Sequence, residues 1–98
     1  MSLTSKQKRH LRALAHTLKP VVMIGNAGVS EGVIREIDGS LTHHELIKIR
    51  LGGMERDDRA AAIEEICQNT ASELVHSIGH IGIFYRTSKE KLIALPKA

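Results

Sequence analysis

A Gly-x-x-Gly turn, Gly25-Asn26-Ala27-Gly28, joins an apolar run at residues 21–24 to a helical pattern that begins at Ser30. Glycine permits a tight turn, and it also lets a ligand come close to the backbone. A helix that begins just after such a turn presents free N–H groups and partial positive charge, which favour an anion. A purely structural turn is the alternative interpretation of these four residues.

Residues 46–51 alternate between apolar and cationic side chains, with Lys48 and Arg50 at the cationic positions. This alternation is typical of a strand that is buried on one face only. It therefore favours a two-layer architecture with one open sheet face. On that face, the two cations either contact solvent alone or contribute to an anion-binding surface.

The remaining patterns predict three helices and three further strands. Thr4 and Gln7 have capping-box spacing, Pro20 ends the first helix and Gly79 ends the third. The predicted helices are residues 4–18, 30–43 and about 57–77, and the predicted strands are residues 21–24, 46–51, 80–86 and 92–95. The order α-β-α-β-α-β-β predicts an α/β fold, with right-handed parallel crossovers and a final antiparallel hairpin in a four-stranded mixed sheet.

Each predicted helix carries an apolar stripe that should face the core. The three stripes are Leu11, Leu14 and Leu18; Ile34, Ile37 and Leu41; and Ile63, Ile66, Cys67, Thr70 and Leu74. The first helix also carries a cationic column on roughly the opposite face, formed by Arg9, Arg12, His16 and Lys19. One face of that helix is thus expected to pack and the other to offer positive charge.

Positive charge is segregated along the chain, although the net charge is only +3. Residues 1–30 hold five Lys or Arg and no acid, and residues 74–98 hold four Lys or Arg and one acid. Segregated charge predicts a basic surface that faces a polyanion such as a nucleic acid. An ordinary solvated helix face is the alternative.

Length and composition predict one globular domain spanning residues 1–98. No apolar run approaches the roughly 18 residues that cross a membrane. The single cysteine, Cys67, excludes an intramolecular disulfide and fits a reducing compartment. We therefore expect a cytoplasmic protein that does not enter a membrane.

The sequence offers no convincing catalytic or metal-binding set. Adjacent histidines in His43-His44-Glu45 would point about 100° apart on a helix, so one imidazole is expected to satisfy carbonyls at the helix end. Cys67 is expected to act as a small core hydrophobe. Phe84 and Tyr85 should face opposite ways on a strand, which disfavours a stacking platform. We expect no enzyme activity, no metal, no cofactor and no small-molecule substrate.

Several stretches together resemble the CRM domain (chloroplast RNA splicing and ribosome maturation) in its small, stand-alone bacterial YhbY type. They are Ser5-Lys6-Gln7-Lys8, Leu18-Lys19-Pro20-Val21-Val22, the turn at residues 25–28 with Gly32-Val33-Ile34, His43-His44-Glu45-Leu46-Ile47-Lys48-Ile49, Ile78-Gly79, and Tyr85-Arg86. The resemblance implies a fold like the C-terminal domain of bacterial translation initiation factor three. It also implies RNA binding and a role on precursors of the large ribosomal subunit.

The turn is similar to the Gly-x-x-Gly loop of KH domains, in which the two glycines let a nucleic-acid backbone lie close to the protein backbone. Related loops often carry a basic or larger polar residue between the glycines, whereas Asn26 and Ala27 stand here. Backbone N–H groups and flanking cations would therefore have to supply the attraction.

The residue patterns and the resemblance together predict a monomeric, non-enzymatic RNA-binding domain, and the resemblance implies that it acts on precursor 23S rRNA or pre-50S particles. The predicted RNA-binding residues are Lys6, Lys8, Arg9, Arg12, Lys19, Gly25, Asn26, Ala27, Gly28, Lys48 and Arg50. One alternative is an adaptor that docks ribosomal or assembly proteins through its helices or open sheet. A small metal-dependent hydrolase is the third interpretation.

Overall fold

The computed structural model describes residues 2–25 and 27–97, which form three helices and one four-stranded sheet. The elements in chain order are α1 (Ser5–Ala15), β1 (Pro20–Ile24), α2 (Glu31–His44), β2 (Leu46–Leu51), α3 (Arg56–Thr70), β3 (Glu73–Ile78) and β4 (Ile81–Tyr85). The sheet order is β1-β2-β4-β3; β1 runs parallel to β2, and β4 runs antiparallel to both β2 and β3. The α/β class, the element order and the four-stranded mixed sheet are confirmed, whereas the final hairpin joins β3 to β4 and not residues 80–86 to residues 92–95 as predicted.

Helix α1 begins as predicted but ends early. The Thr4 hydroxyl accepts from the Gln7 N–H at 3.1 Å, and the Gln7 side chain accepts from the Thr4 N–H at 3.0 Å. Because the N–H of Leu18 bonds to the Ala15 carbonyl three residues back, the chain turns away from the helix toward β1. The predicted end at residue 18 is therefore wrong.

The early end of α1 changes which of its side chains face the core. Leu11 and Ala15 are fully buried, whereas Leu14 is 43% exposed and Leu18 is 37% exposed. The predicted stripe is therefore correct only at Leu11, and the other two leucines lie at the surface.

The last third of the chain departs most from the predicted elements. Helix α3 ends at Thr70, because Ala71 adopts a left-handed conformation (φ 53°) and the Ser72 N–H bonds back to the Cys67 carbonyl. The segment predicted as its last two turns is instead β3, so Leu74 lies on a strand. Gly79, predicted to end the helix, has a φ of 54° in the tight turn between β3 and β4.

Residues 92–95, predicted as a fourth strand, pair with no strand among the described residues. Ile93 and Leu95 instead pack on the face of the sheet that also carries α1. The sheet still has four strands, because β3 replaces the predicted one.

Two apolar clusters lie on opposite faces of the sheet. Helices α2 and α3 cover one face, around Ile37, Ile66 and Phe84. Helix α1 and the C-terminal residues cover part of the other, around Leu11 and Tyr85. The expected open face is therefore open only over the half that lies beyond α1, and β1 is buried on one face only.

Phe84 and Tyr85 do face opposite ways, as predicted, and both are buried. Gly82 lets the Phe84 ring fit, since a Cβ at this glycine would lie 2.7 Å from the ring.

A buried carboxylate, Glu45, holds the C-terminal segment against the sheet. Its Oε2 accepts from the Ser88 N–H at 2.8 Å, from the Ser88 hydroxyl and from the Leu92 N–H at 3.0 Å. Its Oε1 accepts from the Ile93 N–H at 2.9 Å. Burial raises the pKa of Glu45, but these hydrogen bonds outweigh burial and leave that pKa below its ordinary value.

The capping role predicted for a histidine at the end of α2 is not what the structure shows. His43 and His44 are exposed, and within residues 2–25 and 27–97 neither ring bonds to a carbonyl. The residue of this motif that makes long-range hydrogen bonds is its third residue, Glu45.

Candidate nucleic-acid interface

An open groove of about 780 Å³ lies between α1 and the uncovered half of the sheet. Its cationic side chains come from both elements, and its floor is made of isoleucines. The lining residues are Arg9, Arg12, Ala13, His16, Lys48, His76, Ile78, Ile81 and Ile83. None of these nine residues is acidic, so the groove favours an anion.

Helical spacing brings two arginines of α1 and the histidine at its C-cap to the groove. Arg9, Arg12 and His16 follow one another at i, i+3 and i+7, on a side of the helix turned away from buried Leu11 and Ala15. Burial of the apolar side of α1 on the sheet therefore fixes the direction in which the cations point.

Strand register supplies the other wall and the floor. Lys48 pairs with Ile83, which in turn pairs with His76, so these three side chains form one row across the sheet. The next row contains Arg50, which pairs with Ile81. Lys48 therefore faces the α1 cations, and Arg50 continues the positive surface along the same face.

Within the described residues, the arginines and the lysine of the groove form no ion pair. Among the described residues, the only ion pair within 4.0 Å joins Arg86 to Asp38. Arg86 also donates to the Thr42 hydroxyl and the Thr70 carbonyl, which ties the end of β4 to α2 and α3. Arg9, Arg12 and Lys48 are thus left to attract a ligand, whereas Arg86 is used within the fold.

The glycine loop, residues 25–28, lies at the end of β1 and makes a tight turn. The Gly28 N–H donates to the Gly25 carbonyl at 3.1 Å, and Gly28 has a φ of 80°, which favours glycine. Gly25 and Ala27 are exposed, and Asn26 lies outside the described residues. Because Ile24 pairs with Leu51, the loop shares its end of the sheet with Arg50.

The two sides of the glycine loop differ in charge. On the side of α3, Gly28 borders a groove of about 560 Å³ that also contains Asp58 and Glu65. Glu31 occupies the first turn of α2, whose N-terminus is capped by the Ser30 hydroxyl. These carboxylates repel a phosphate, so the favourable approach to the loop is from the side of Arg50.

Three of the predicted cations lie away from the groove walls. Lys19 borders a separate apolar groove of about 480 Å³, together with Leu14, Leu18 and Val21. Lys6 is exposed one turn before Arg9 on α1, and Lys8 is half-buried. The structure therefore brings together Arg9, Arg12 and Lys48, with Arg50 beside them, but not the whole predicted set.

Sequence reasoning missed the side of the groove that β3 and β4 build. The predicted third helix contains His76 and ends just before Ile78, although residues 73–85 also match two strand-like runs joined by Gly79-His80. A two-residue turn that contains glycine, between β-branched runs, is a hairpin signal. That signal would have placed both residues on a strand.

The described part of the chain was also compared with the requirements of a metal site, a cysteine nucleophile and a membrane-spanning helix. There, no group of three or more His, Cys, Asp and Glu side chains could hold a metal ion. Cys67 is half-buried, and burial raises the pKa of its thiol, which disfavours the thiolate that a nucleophile requires. No helix among the described residues is long and apolar enough to cross a membrane.

Comparison with known proteins gives one consistent family. The CRS1/YhbY (CRM) domain profile matches residues 3–86. An RNA-binding protein of Haemophilus influenzae is 46% identical over 96 residues, which cover 98% of this chain and 97% of that protein. The probable RNA-binding protein YqeI of Bacillus subtilis is 39% identical, with 96% of this chain and 99% of that protein covered.

The fold has a matching solved structure. The solution structure of a hypothetical protein from Staphylococcus aureus, described as a candidate RNA-binding protein, superposes with a TM-score of 0.84. The two sequences are 44% identical, and the match covers 97% of this chain and all of that one.

Proposed function

Because this chain belongs to the CRS1/YhbY (CRM) domain family, we propose that it binds RNA through the groove between α1 and the sheet. The observation that carries the proposal is the convergence of Arg9, Arg12 and Lys48 on one groove without an acidic neighbour in its lining. The names of the relatives support the same ligand class.

The physical basis of binding is neutralisation of backbone phosphates. Each Lys or Arg that contacts a phosphate releases condensed counterions, which contributes affinity without reading sequence. Phe84 and Tyr85 are buried, so neither can stack on a base. Exposed Gly25 can add backbone contacts at the Arg50 end of the groove. The groove would thus select RNA mainly by charge and shape.

We further propose that the RNA is precursor 23S rRNA in unfinished large ribosomal subunits, and that the protein acts there as a cytoplasmic monomer. The family resemblance supports this target. A small domain that binds mainly through charge can hold an unfinished rRNA segment and then be displaced, because electrostatic contacts form fast and need not last. In this proposal the protein holds RNA and does not modify it.

The proposed target predicts a sedimentation profile. In low-salt lysates, the protein should migrate with immature large subunits and be depleted from translating ribosomes. Gradient fractionation with immunodetection measures this, in a strain that accumulates precursors. Recovery of all the protein at the top of the gradient would contradict the ribosomal target and leave another RNA as the ligand.

The glycine loop gives a second prediction. Gly25→Asp should weaken RNA binding about tenfold, because it adds a carboxylate on the side from which phosphate approaches. A Cβ at Gly25 has no neighbour within 4 Å and Gly25 has no positive φ, so both Gly25→Asp and the control Gly25→Ala should fold. Filter binding and circular dichroism test this; equal affinity of the two variants would exclude the loop from the interface.

A protein-docking role remains the second candidate, favoured by one surface observation. Within residues 2–25 and 27–97, six large hydrophobic residues are exposed, and four of them lie near the free edge of β1: Leu14, Leu18, Val21 and Met23. Exposed apolar patches of this kind often mark protein contacts. Co-precipitation of an assembly protein that survives nuclease treatment, and is lost in Val21→Asp, would favour this role over RNA binding.

A further inference from the structure

The floor of the groove is apolar, which phosphate binding alone does not require. Ile83 lies buried at its base, Ile81 is half-buried, and Ile78 is 63% exposed at the open end. Ile78 and Ile81 are paired residues of β3 and β4, so their side chains form one continuous apolar surface. Cations from α1 and β2 border this surface.

We propose that the groove receives a single unpaired RNA base, which lies on the Ile78–Ile81 floor while the adjacent phosphates contact Arg9, Arg12 and Lys48. This inference rests on the proposed RNA binding and narrows its ligand to RNA with an unstacked nucleotide. A nucleotide matches the groove because it joins an apolar face to an anionic backbone. The groove volume of about 780 Å³ lies within the range of sites that enclose small ligands.

The floor discriminates between paired and unpaired RNA. In a duplex, each base face is covered by its neighbours, and the deep major groove of A-form RNA keeps side chains from the bases. A duplex can therefore use only the cations of the groove. A bulged or looped nucleotide can use both the cations and the floor, because its face is free.

The groove also offers hydrogen-bonding groups for the polar edge of such a base. His16 and His76 line the same groove, and among the described residues neither side chain has a hydrogen-bond partner. An imidazole can donate from one ring nitrogen and accept at the other, so it can meet either type of group on a base edge. The groove therefore offers an apolar surface for the face of the base and polar groups for its edge.

Three RNA hairpins that share one stem test the proposal. The first carries a single bulged uridine, the second carries an abasic nucleotide at the same bulge, and the third is fully paired. The abasic hairpin keeps the phosphate and the bend but lacks the base. Wild-type protein should bind the uridine bulge about five- to tenfold more tightly than the abasic bulge, a difference at the low end of base stacking.

Two serine variants assign that difference to the floor. Ile78→Ser should bring the uridine and abasic hairpins to equal affinity, because it removes apolar surface without changing charge. Leu92→Ser is the matched control, since Leu92 is 53% exposed outside the groove, and it should keep the wild-type preference. Thermal unfolding of both variants checks that the fold is retained.

The outcomes separate this inference from the proposal on which it rests. Equal wild-type affinity for all three hairpins would overturn the base-binding inference and leave RNA binding intact. A preference for the uridine bulge that survives Ile78→Ser would place the base elsewhere and would also overturn the inference. Absence of binding to every hairpin at low salt would instead contradict the proposed function.

Discussion

Replacing Glu45 by alanine is expected to lower the free energy of unfolding by about 3 kcal/mol and to release residues 88–93 from the sheet. The carboxylate accepts four hydrogen bonds from this segment, three of them from backbone N–H groups. Hydrogen bonds to a charged group are the stronger kind, and their loss leaves three part-buried backbone N–H groups without their acceptor. Urea unfolding measures the loss.

Two further variants show that the effect belongs to this carboxylate. Glu45→Gln keeps the shape and one acceptor oxygen, so it should cost less than Glu45→Ala. Glu90→Ala removes an exposed carboxylate from the same segment and should change stability by no more than about 0.5 kcal/mol. Hydrogen exchange should accelerate at both Leu92 and Ile93 in Glu45→Ala and at neither residue in Glu90→Ala. Unfolding of Glu45→Ala at the wild-type urea concentration would contradict the assignment.

The same carboxylate makes stability depend on pH. Its pKa in the folded protein lies below the ordinary value of 4.5, since the hydrogen bonds from Ser88, Ile93 and Leu92 outweigh burial. The unfolded chain therefore binds the proton more tightly, and the contribution of Glu45 is fully present above about pH 4.5. It is lost as pH falls through the folded pKa, and this part of the acid destabilisation should be absent from Glu45→Gln.

Glu45 also contacts, through the segment that it holds, the helix that lines the proposed RNA groove. The segment that it holds brings Ile93 and Leu95 against the cluster that contains Leu11 of α1. The Gln7 side chain donates to the Pro96 carbonyl at 3.0 Å, which adds a second tie between α1 and the C-terminal residues. Because α1 carries Arg9 and Arg12, loss of this carboxylate is expected to disturb the groove, although no RNA contact is assigned to Glu45.

The elements that sequence reasoning located well are those whose local signals agree with one another. Strand β2 alternates apolar and cationic residues, and α2 has both a serine cap and an apolar stripe. The capping box at Thr4 fixed the start of α1. In each case the pattern depends on neighbours within one or two turns, so the sequence carries the whole signal.

The errors arise where distant contacts decide the structure. Residues 73–78 continue an apolar helical spacing, but pairing with β4 makes them a strand. Glu45 looks like a surface residue because buried, unpaired carboxylates are rare, and its partners lie more than forty positions away. Neither feature leaves a reliable local pattern.

The candidate site could be predicted only in part, because local spacing shows which residues share a face but not which faces meet. Spacing on a helix shows that Arg9 and Arg12 share a face, and alternation shows that Lys48 and Arg50 share another. Only the packing of α1 on the second face of the sheet brings Lys48 opposite the helix cations. The isoleucine floor needs the β3–β4 pairing as well, so it could not be seen from either strand alone.

The largest functional effect is expected from removing the three cations that converge on the groove. Arg9→Gln, Arg12→Gln and Lys48→Gln combined should weaken RNA binding about 100-fold at low salt, since each contributes roughly one phosphate contact. The core should persist, because Arg9 and Arg12 are exposed and Lys48 is only half-buried. Circular dichroism and thermal unfolding check that the fold is kept.

A matched triple variant separates a local site from net charge. Arg35→Gln, Lys89→Gln and Lys91→Gln remove the same charge from exposed positions outside the groove. If total charge alone drove binding, the two triple variants would lose affinity equally. If the groove binds the RNA, the affinity of this control for RNA should stay within about threefold of the wild-type affinity.

The salt dependence of RNA affinity, measured side by side for the wild-type protein and both triple variants, is the most direct test that the groove binds RNA. The slope of log K against log salt concentration should become about two to three units shallower in the Arg9, Arg12 and Lys48 variant, and should not change in the control. Equal slopes for the wild-type protein and the groove variant would contradict the account and place the RNA on another surface.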